Sequence, residues 1–432
     1  GTQAVPGDLI TLVGEGTGPG NLGAGVGITA RAVYFVDRGA FARADSVDAA
    51  GSGDLYEARF DEDGAYTAIQ LVARAPEVGA AVGDAPDRAL PVVDLVPSTI
   101  AERELVVVSR AFLGGRLGDW VPGTAFVHER TGDGAWVSAQ LEDPDEWSDC
   151  DPPADPDRPE AVICHGSGFG SVVAASGDDI FVANARPDPD DPRAEVTIFS
   201  RRAAGDWVRN GRFSGRSETF GRAMAADGDW LAISETNGQR VFIYERDPAG
   251  FWAPAGRVSG AGSDTYGMSL ALAGEFLAVG DGVGEISVYR RTLFGDWPRV
   301  QRISAGMVPH QVDISPTGAL LVASVGQVAS FRVGRDGSVD FLGRMETASG
   351  PDLAQGAEAR VLVTSVAVGA NGSIYGAPGV GEPFDAPGRI TSRAWSSLCE
   401  PDGRCVCRLG ADGLQCDERP TCGDGVVQLG VE

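Results

Sequence analysis

Short runs of four to eight residues place Val, Ile, Phe, Leu or Tyr at every second position, and Gly, Asp or Asn breaks them again and again. That alternation, with period two, predicts half-buried β-strands; no stretch sustains a helical period over several turns. Two patterned units take turns. One ends its first strand on a charged residue, turns through Gly and restarts on an aromatic: AEVTIFSRRAAGDW (194–207), QRVFIYERDPAGFW (239–252) and GEISVYRRTLFGDW (284–297). Weaker copies occupy 54–66, 123–136 and 328–341. The other unit is a hairpin with a Gly/Asp turn, as in GFGSVVAASGDDIFVAN (168–184), TFGRAMAADGDWLAIS (219–234) and TYGMSLALAGEFLAVG (265–280), with degenerate copies at 309–324 and 364–378.

The restarting aromatics Trp207, Trp252, Trp297 and Phe341 recur at steps of 45, 45 and 44 residues. Four short strands repeated at that period predict propeller blades. The expected fold class is an all-β, seven-bladed β-propeller of four-stranded blades. The blades fall at 27–78, 79–143, 166–215, 217–260, 262–304, 306–347 and 355–395. The seventh lacks a fourth strand, and the orphan run Asp8–Val13 is expected to supply it by pairing near Arg389–Trp395. The propeller is assigned to 1–397, with an acidic insertion at 142–165, and a Cys-rich, disulfide-bonded tail to 398–432.

The hairpin FG/YG followed by x-V-x-x-(Y/F)-x-R…G-x-W resembles the FG-GAP repeat of integrin-alpha-type propellers, in its bacterial form, over about 166–305. Phe169/Gly170, Phe220/Gly221 and Tyr266/Gly267 match the FG positions. The resemblance implies a seven-bladed extracellular binding or adhesion propeller. The family's calcium loops are not carried over, because the turns SGDD, ADGD and LAGE are too short to wrap a cation needing six to eight oxygens. The last residues, Cys422–Glu432, are similar to a myxobacterial cysteine-rich repeat, whose next Cys would lie beyond residue 432.

Charge narrows the partners. The chain of 432 residues has 35 basic residues, every one Arg, against 61 acidic, a net charge of −26. That argues against nucleic acid and against anionic membrane surfaces. No apolar run reaches the ~18 residues of a membrane span. Seven Cys beside three His favour disulfides over zinc, hence an oxidising compartment and a secreted or cell-surface protein.

Candidate sites lie where the repeat is interrupted. The insertion 142–165 carries nine carboxylates and is expected to be stapled by a Cys150–Cys164 disulfide. Asp188, Asp190 and Asp191 stand together in a second acidic loop and could share a hard cation such as calcium. The recurring aromatics and FG dipeptides read as packing devices, with the preceding Arg stacked over the ring. Gly18, Gly20 and Gly23 spell G-x-G-x-x-G, but a strand-like run follows and no dinucleotide site is expected. His128 lies beside Glu129, His165 follows Cys164 and His310 opens a blade, and none is read as catalytic. The function expected is an extracellular binding or adhesion module for an unknown protein or glycan, a monomeric propeller and not an enzyme. The alternative is a secreted polysaccharide lyase or hydrolase using the axial face.

Overall fold

A computed structural model describes residues 10–13, 21–29, 31–38, 54–59, 70–74, 94–100, 103–110, 115–116, 124–142, 148–150, 163–166, 168–184, 194–203, 205–260, 263–324, 327–334, 337–346, 365–368, 372–377, 389–394, 408–410 and 413–415. These residues are all β, with one short 3-10 turn at Thr236–Gly238.

In chain order, β1 (Ile10–Val13) is followed by a first sheet of β2 (Asn21–Ile28), β3 (Ala32–Arg38), β4 (Leu55–Arg59) and β5 (Gln70–Ala73). The second sheet runs β6 (Asp94–Ile100), β7 (Arg103–Arg110), β9 (Thr124–Arg130), β10 (Trp136–Leu141). Between and after its strands lie β8 (Gly115–Arg116), β11 (Ser148–Cys150) and β12 (Ile163–Gly166), which form a three-stranded sheet of their own. Four regular meanders follow. They are β13 (Phe169–Ser176) to β16 (Trp207–Ser214) through β14 (Asp179–Asn184) and β15 (Glu195–Arg201); β17 (Phe220–Asp227), β18 (Trp230–Glu235), β19 (Arg240–Arg246), β20 (Trp252–Ser259); β21 (Ser269–Ala273), β22 (Phe276–Asp281), β23 (Glu285–Arg290), β24 (Arg299–Ser304); and β25 (Gln311–Ile314), β26 (Ala319–Ser324), β27 (Gln327–Val333), β28 (Val339–Glu346). The chain then forms β29 (Ser365–Val368), β30 (Gly372–Ala377) and β31 (Arg389–Ala394), and a final hairpin of β32 (Arg408–Gly410) and β33 (Gly413–Gln415).

The blade count is corrected from seven to six. Six four-stranded blades are each complete within one contiguous stretch of chain. The stretch 355–395, counted from sequence as a seventh blade, supplies only β29–β31. Its sheet reaches four strands by recruiting β1 from the other end of the chain, with Ile10 opposite Ser392 and Val13 opposite Arg389.

By contacts the chain divides into two compact units, residues 1–35, 56–70 and 269–432 in one and 36–55 and 71–268 in the other. Within the second, the core sits between blades. Leu105, Val107 and Val127 pack against Phe169, Val173 and Val182, and Phe181 and Val196 pack against Phe220, Leu231 and Ile233. Within the first, Phe276, Ile286 and Val288 pack against Val312, Leu320 and Val322, and Val328 against Val366 and Val368. Within each unit, neighbouring meanders therefore bury the alternate residues of their strands against one another, as face-to-face sheets must. The predicted role of the FG dipeptides holds here: Phe169, Phe220 and Tyr266 are fully buried. Gly221, at φ +80°, lies so close to Val196 and Ala183 that a Cβ would sit 3.0 and 3.1 Å from them.

Candidate functional site

One turn joins the third and fourth strands of successive blades. Its first residue donates its N–H to the fifth residue's carbonyl, and its fourth residue, a Gly, donates back to the first. Both bonds occur at 131–135, 202–206, 247–251, 292–296 and 334–338, with distances of 2.8 to 3.1 Å. The fourth residue needs a left-handed backbone, and Gly134, Gly205, Gly250, Gly295 and Gly337 have φ between 85° and 95°. This explains why the sequence repeats G-x-aromatic at fixed spacing. The same strand pair carries a register shift at Ile198/Phe199, Ile243/Tyr244, Val288/Tyr289 and Ser330/Phe331, so the bulge is a repeated feature too.

Trp207, Trp252 and Trp297, which follow their turns, are plugs, whereas Phe341 is 58% exposed. Trp252 packs edge-on against Phe181 with ring centroids 5.1 Å apart, and Trp297 is buried. Arg130 lies 5.8 Å over the Trp136 ring, as predicted for the preceding Arg. Arg246 and Arg201 do something sequence reasoning missed, since each reaches back to a buried carboxylate of the preceding blade. Arg201 bonds Glu129 with its Nε at 2.9 Å and a terminal nitrogen at 2.9 Å. Arg246 pairs with Asp179 at 3.1 Å, while Asp179 also accepts from Trp252 Nε1 at 2.9 Å and from Ser200 at 2.5 Å. Asp179 is 1% exposed, and its partners Arg246 and Trp252 lie 67 and 73 residues away in sequence.

Against this repeated architecture one turn differs. The two tip positions, the turn's second and third residues, hold Gly132–Asp133, Ala203–Ala204, Pro248–Ala249 and Arg335–Asp336 in four of the five turns. In the remaining one they hold Leu293–Phe294, with relative exposures of 102% and 92%. The turn beneath is held by Thr292 and Asp296 at 2.8 Å, by Gly295 and Thr292 at 3.1 Å, and by Phe294 N–H to the Thr292 hydroxyl at 3.3 Å. Arg290 at its base is paired with Glu275 at 3.0 Å. The result is two large apolar side chains on a hydrogen-bonded platform, fully in water. An ordered apolar tip loses little freedom on binding, which is how a small surface becomes an anchor. The signal was present in the sequence as the one apolar pair among small or polar tips.

Of the residues predicted as sites, Cys150 and Cys164 stand directly opposite each other on antiparallel β11 and β12. Asp188, Asp190 and Asp191 lie outside the described residues. Among the described residues no group of three or more His, Cys, Asp or Glu is placed to hold a metal. His165 sits opposite Asp149 in β11–β12. His128 is buried and its Nδ1 lies 2.8 Å from the Ser138 hydroxyl, a neighbour not apparent in sequence. The two residues are direct partners across β9 and β10, and Phe126 stacks beside the imidazole, so the bond is a cross-strand pair on a sheet face. Burial holds the His310 imidazole below its ordinary value.

A further feature lies on β25. Asp313 accepts N–H bonds from Ile314 at 2.9 Å and from Val368 of β29 at 2.6 Å, and burial drives its carboxyl up to about 7 against the lowering effect of both bonds. Two residues earlier, Gln311 Oε1 accepts from Val366 N–H at 3.2 Å. Alternate side chains of one inner strand thus satisfy alternate amides of the next sheet's edge, which would otherwise be unpaired.

No family model matches the chain, and no curated protein matches it. The resemblance to FG-GAP and cysteine-rich repeats therefore has no support from a family comparison. Solved structures do match. A chain in the crystal structure of the mitotic checkpoint complex is 10% identical with a TM-score of 0.51, covering 91% of this chain and 96% of that one. The RRP9 WD40 repeats are 9% identical with a TM-score of 0.49, covering 90% and 97%. The periplasmic gluconolactonase of Pseudomonas aeruginosa is 16% identical with a TM-score of 0.44, covering 75% and 85%. The fold is a β-propeller. At these identities the likeness concerns fold alone. The expectation of a chain without catalysis is corrected at this point. Structures similar to it include one named as a gluconolactonase. A β-propeller fold serves binding and catalysis alike and is by itself no ground for excluding an enzyme.

Proposed function

We propose that this protein is a binding module that docks a protein partner through the Leu293–Phe294 tip. The observation that carries the reading is the pair of fully exposed apolar side chains on a hydrogen-bonded turn, where the equivalent tip positions of the other turns carry small or polar residues. A protein partner is favoured over a glycan because an exposed Leu gains by entering an apolar pocket, whereas a sugar offers mainly hydroxyls and a face for aromatic stacking. The fold supports this use, since propellers present turns of several blades on one face. Among the described residues no helix is long and apolar enough to cross a membrane. The extracellular placement is part of the same proposal and rests on the seven Cys and on the opposition of Cys150 and Cys164.

The test is a screen of the purified protein against arrayed extracellular proteins and glycans, run beside the L293S/F294S double variant. Protein signals lost in the variant at an unchanged melting temperature support the proposal. Signals on proteins that survive the substitution, or signals confined to glycans, overturn it.

A further inference from the structure

We infer that the seam between β25 and β29 is a proton-operated joint, closed while the Asp313 carboxyl keeps its proton and opened to water when it loses it. The geometry is that of two edges meeting. β25 is the free edge of its sheet and β29 the free edge of the next. Where they meet, Gln311 and Asp313 reach across to Val366 and Val368. The apolar residues around the seam, Leu321, Ala323, Val328, Val366 and Val368, are all buried and offer no polar group from their side chains.

Ionisable neighbours are few. Of the strands packed on β25, β21, β26 and β29 carry no ionisable side chain, and β22 carries Asp281 at its end. On the chain itself His310 precedes β25, and its imidazole is kept neutral-favouring by burial. Among the described residues no charged group acts on Asp313; burial and two main-chain bonds alone set its behaviour. A neutral carboxyl can keep its carbonyl oxygen on the Val368 N–H and needs little else. The ionised group has a full charge, two N–H donors and no cation, so it must recruit water to the seam. The residue as a whole is half-buried, so the carboxyl lies in the core's margin and not at its centre. Its loss of a proton falls near neutral pH, within the range where the surroundings of a cell-surface protein vary.

Hydrogen–deuterium exchange of the peptide spanning 365–368 tests this in the full chain, with the peptide spanning 327–333 as the internal reference. After correction for intrinsic exchange, protection of 365–368 should fall about tenfold between about pH 5.5 and about pH 8.5, while the reference stays level. Asp313→Asn keeps an acceptor for Val368 and cannot ionise, so its protection should be independent of pH. Equal protection of the wild type at both pH values overturns the inference. So does protection that rises with pH, which would mean that charge-assisted bonds to the two amides outweigh hydration.

Discussion

Asp179→Ala should be among the most damaging single substitutions in the unit that contains it. Asp179 is 1% exposed, accepts hydrogen bonds from Ser200 at 2.5 Å and Trp252 Nε1 at 2.9 Å, and forms an ion pair with Arg246 at 3.1 Å. Removing it strands an indole N–H that was satisfied and a guanidinium that was charge-paired. Arg246 retains 29% exposure, so its charge can be partly rehydrated, and the full cost of ~3–5 kcal/mol for an orphaned buried ion is not reached. The indole and the hydroxyl each lose a charge-assisted bond worth about 1.5 kcal/mol, and the two together give about 3 kcal/mol. For a folding unit of this size that corresponds to a fall in Tm of about 6–12 °C by calorimetry. A double-mutant cycle with Arg246→Ala should recover a coupling of about 1–2 kcal/mol. A loss under about 1 kcal/mol for Asp179→Ala, with no coupling to Arg246, would refute the idea that this carboxylate locks one blade to the next.

Three further outcomes are expected. Asp313→Asn should stabilise the protein above neutral pH: the folded state holds this proton up to about 7 and the unfolded chain only to 3.8, so stability is fullest below 3.8 and declines as pH climbs towards 7. Urea titrations should show the variant gaining about 2–4 kcal/mol near pH 8 and nothing near pH 3, and a variant that loses stability at high pH would contradict this. Gly267→Ala should cost about 2–3 kcal/mol by the same method, because φ is +86° and the new Cβ would stand 2.9 Å from the Ser234 Cβ. Peptide mapping without reductant should recover Cys150 linked to Cys164, a closure worth about 3 kcal/mol; two free thiols would remove the support for an extracellular setting.

What the sequence made legible was whatever repeats. The 45-residue step exposed the four-stranded blades, the turn glycines and the restarting aromatics, because each copy must solve the same packing problem with the same residues. The run Asp8–Val13 could be matched to β31 because a strand without a hairpin partner needs one elsewhere. The blade count was harder. A stretch with three strands reads like a blade when its neighbours have four. Polar contacts between blades left no trace in the sequence. Asp179 lies in a Gly-Asp-Asp turn that reads as solvated, and only the fold brings Arg246 and Trp252 onto it. Asp313 likewise reads as one polar position in a degenerate hairpin, and nothing local says that its partner is an amide 55 residues on. Leu293 and Phe294 were visible throughout, but repeated surroundings drew attention to what the copies share, and here the informative residues are those that depart from it.

The most direct test of the account is photo-cross-linking from the turn tips. A diazirine amino acid is placed at position 294 in one protein and at position 249, the equivalent exposed tip residue of the preceding blade, in another, and each is exposed to extracellular proteins. The account predicts a discrete protein adduct from 294 and none from 249, with the 294 adduct competed by unlabelled wild type and not by the L293S/F294S variant. Equal adducts from both tips, or none from 294 while other surface positions capture a partner, would contradict it.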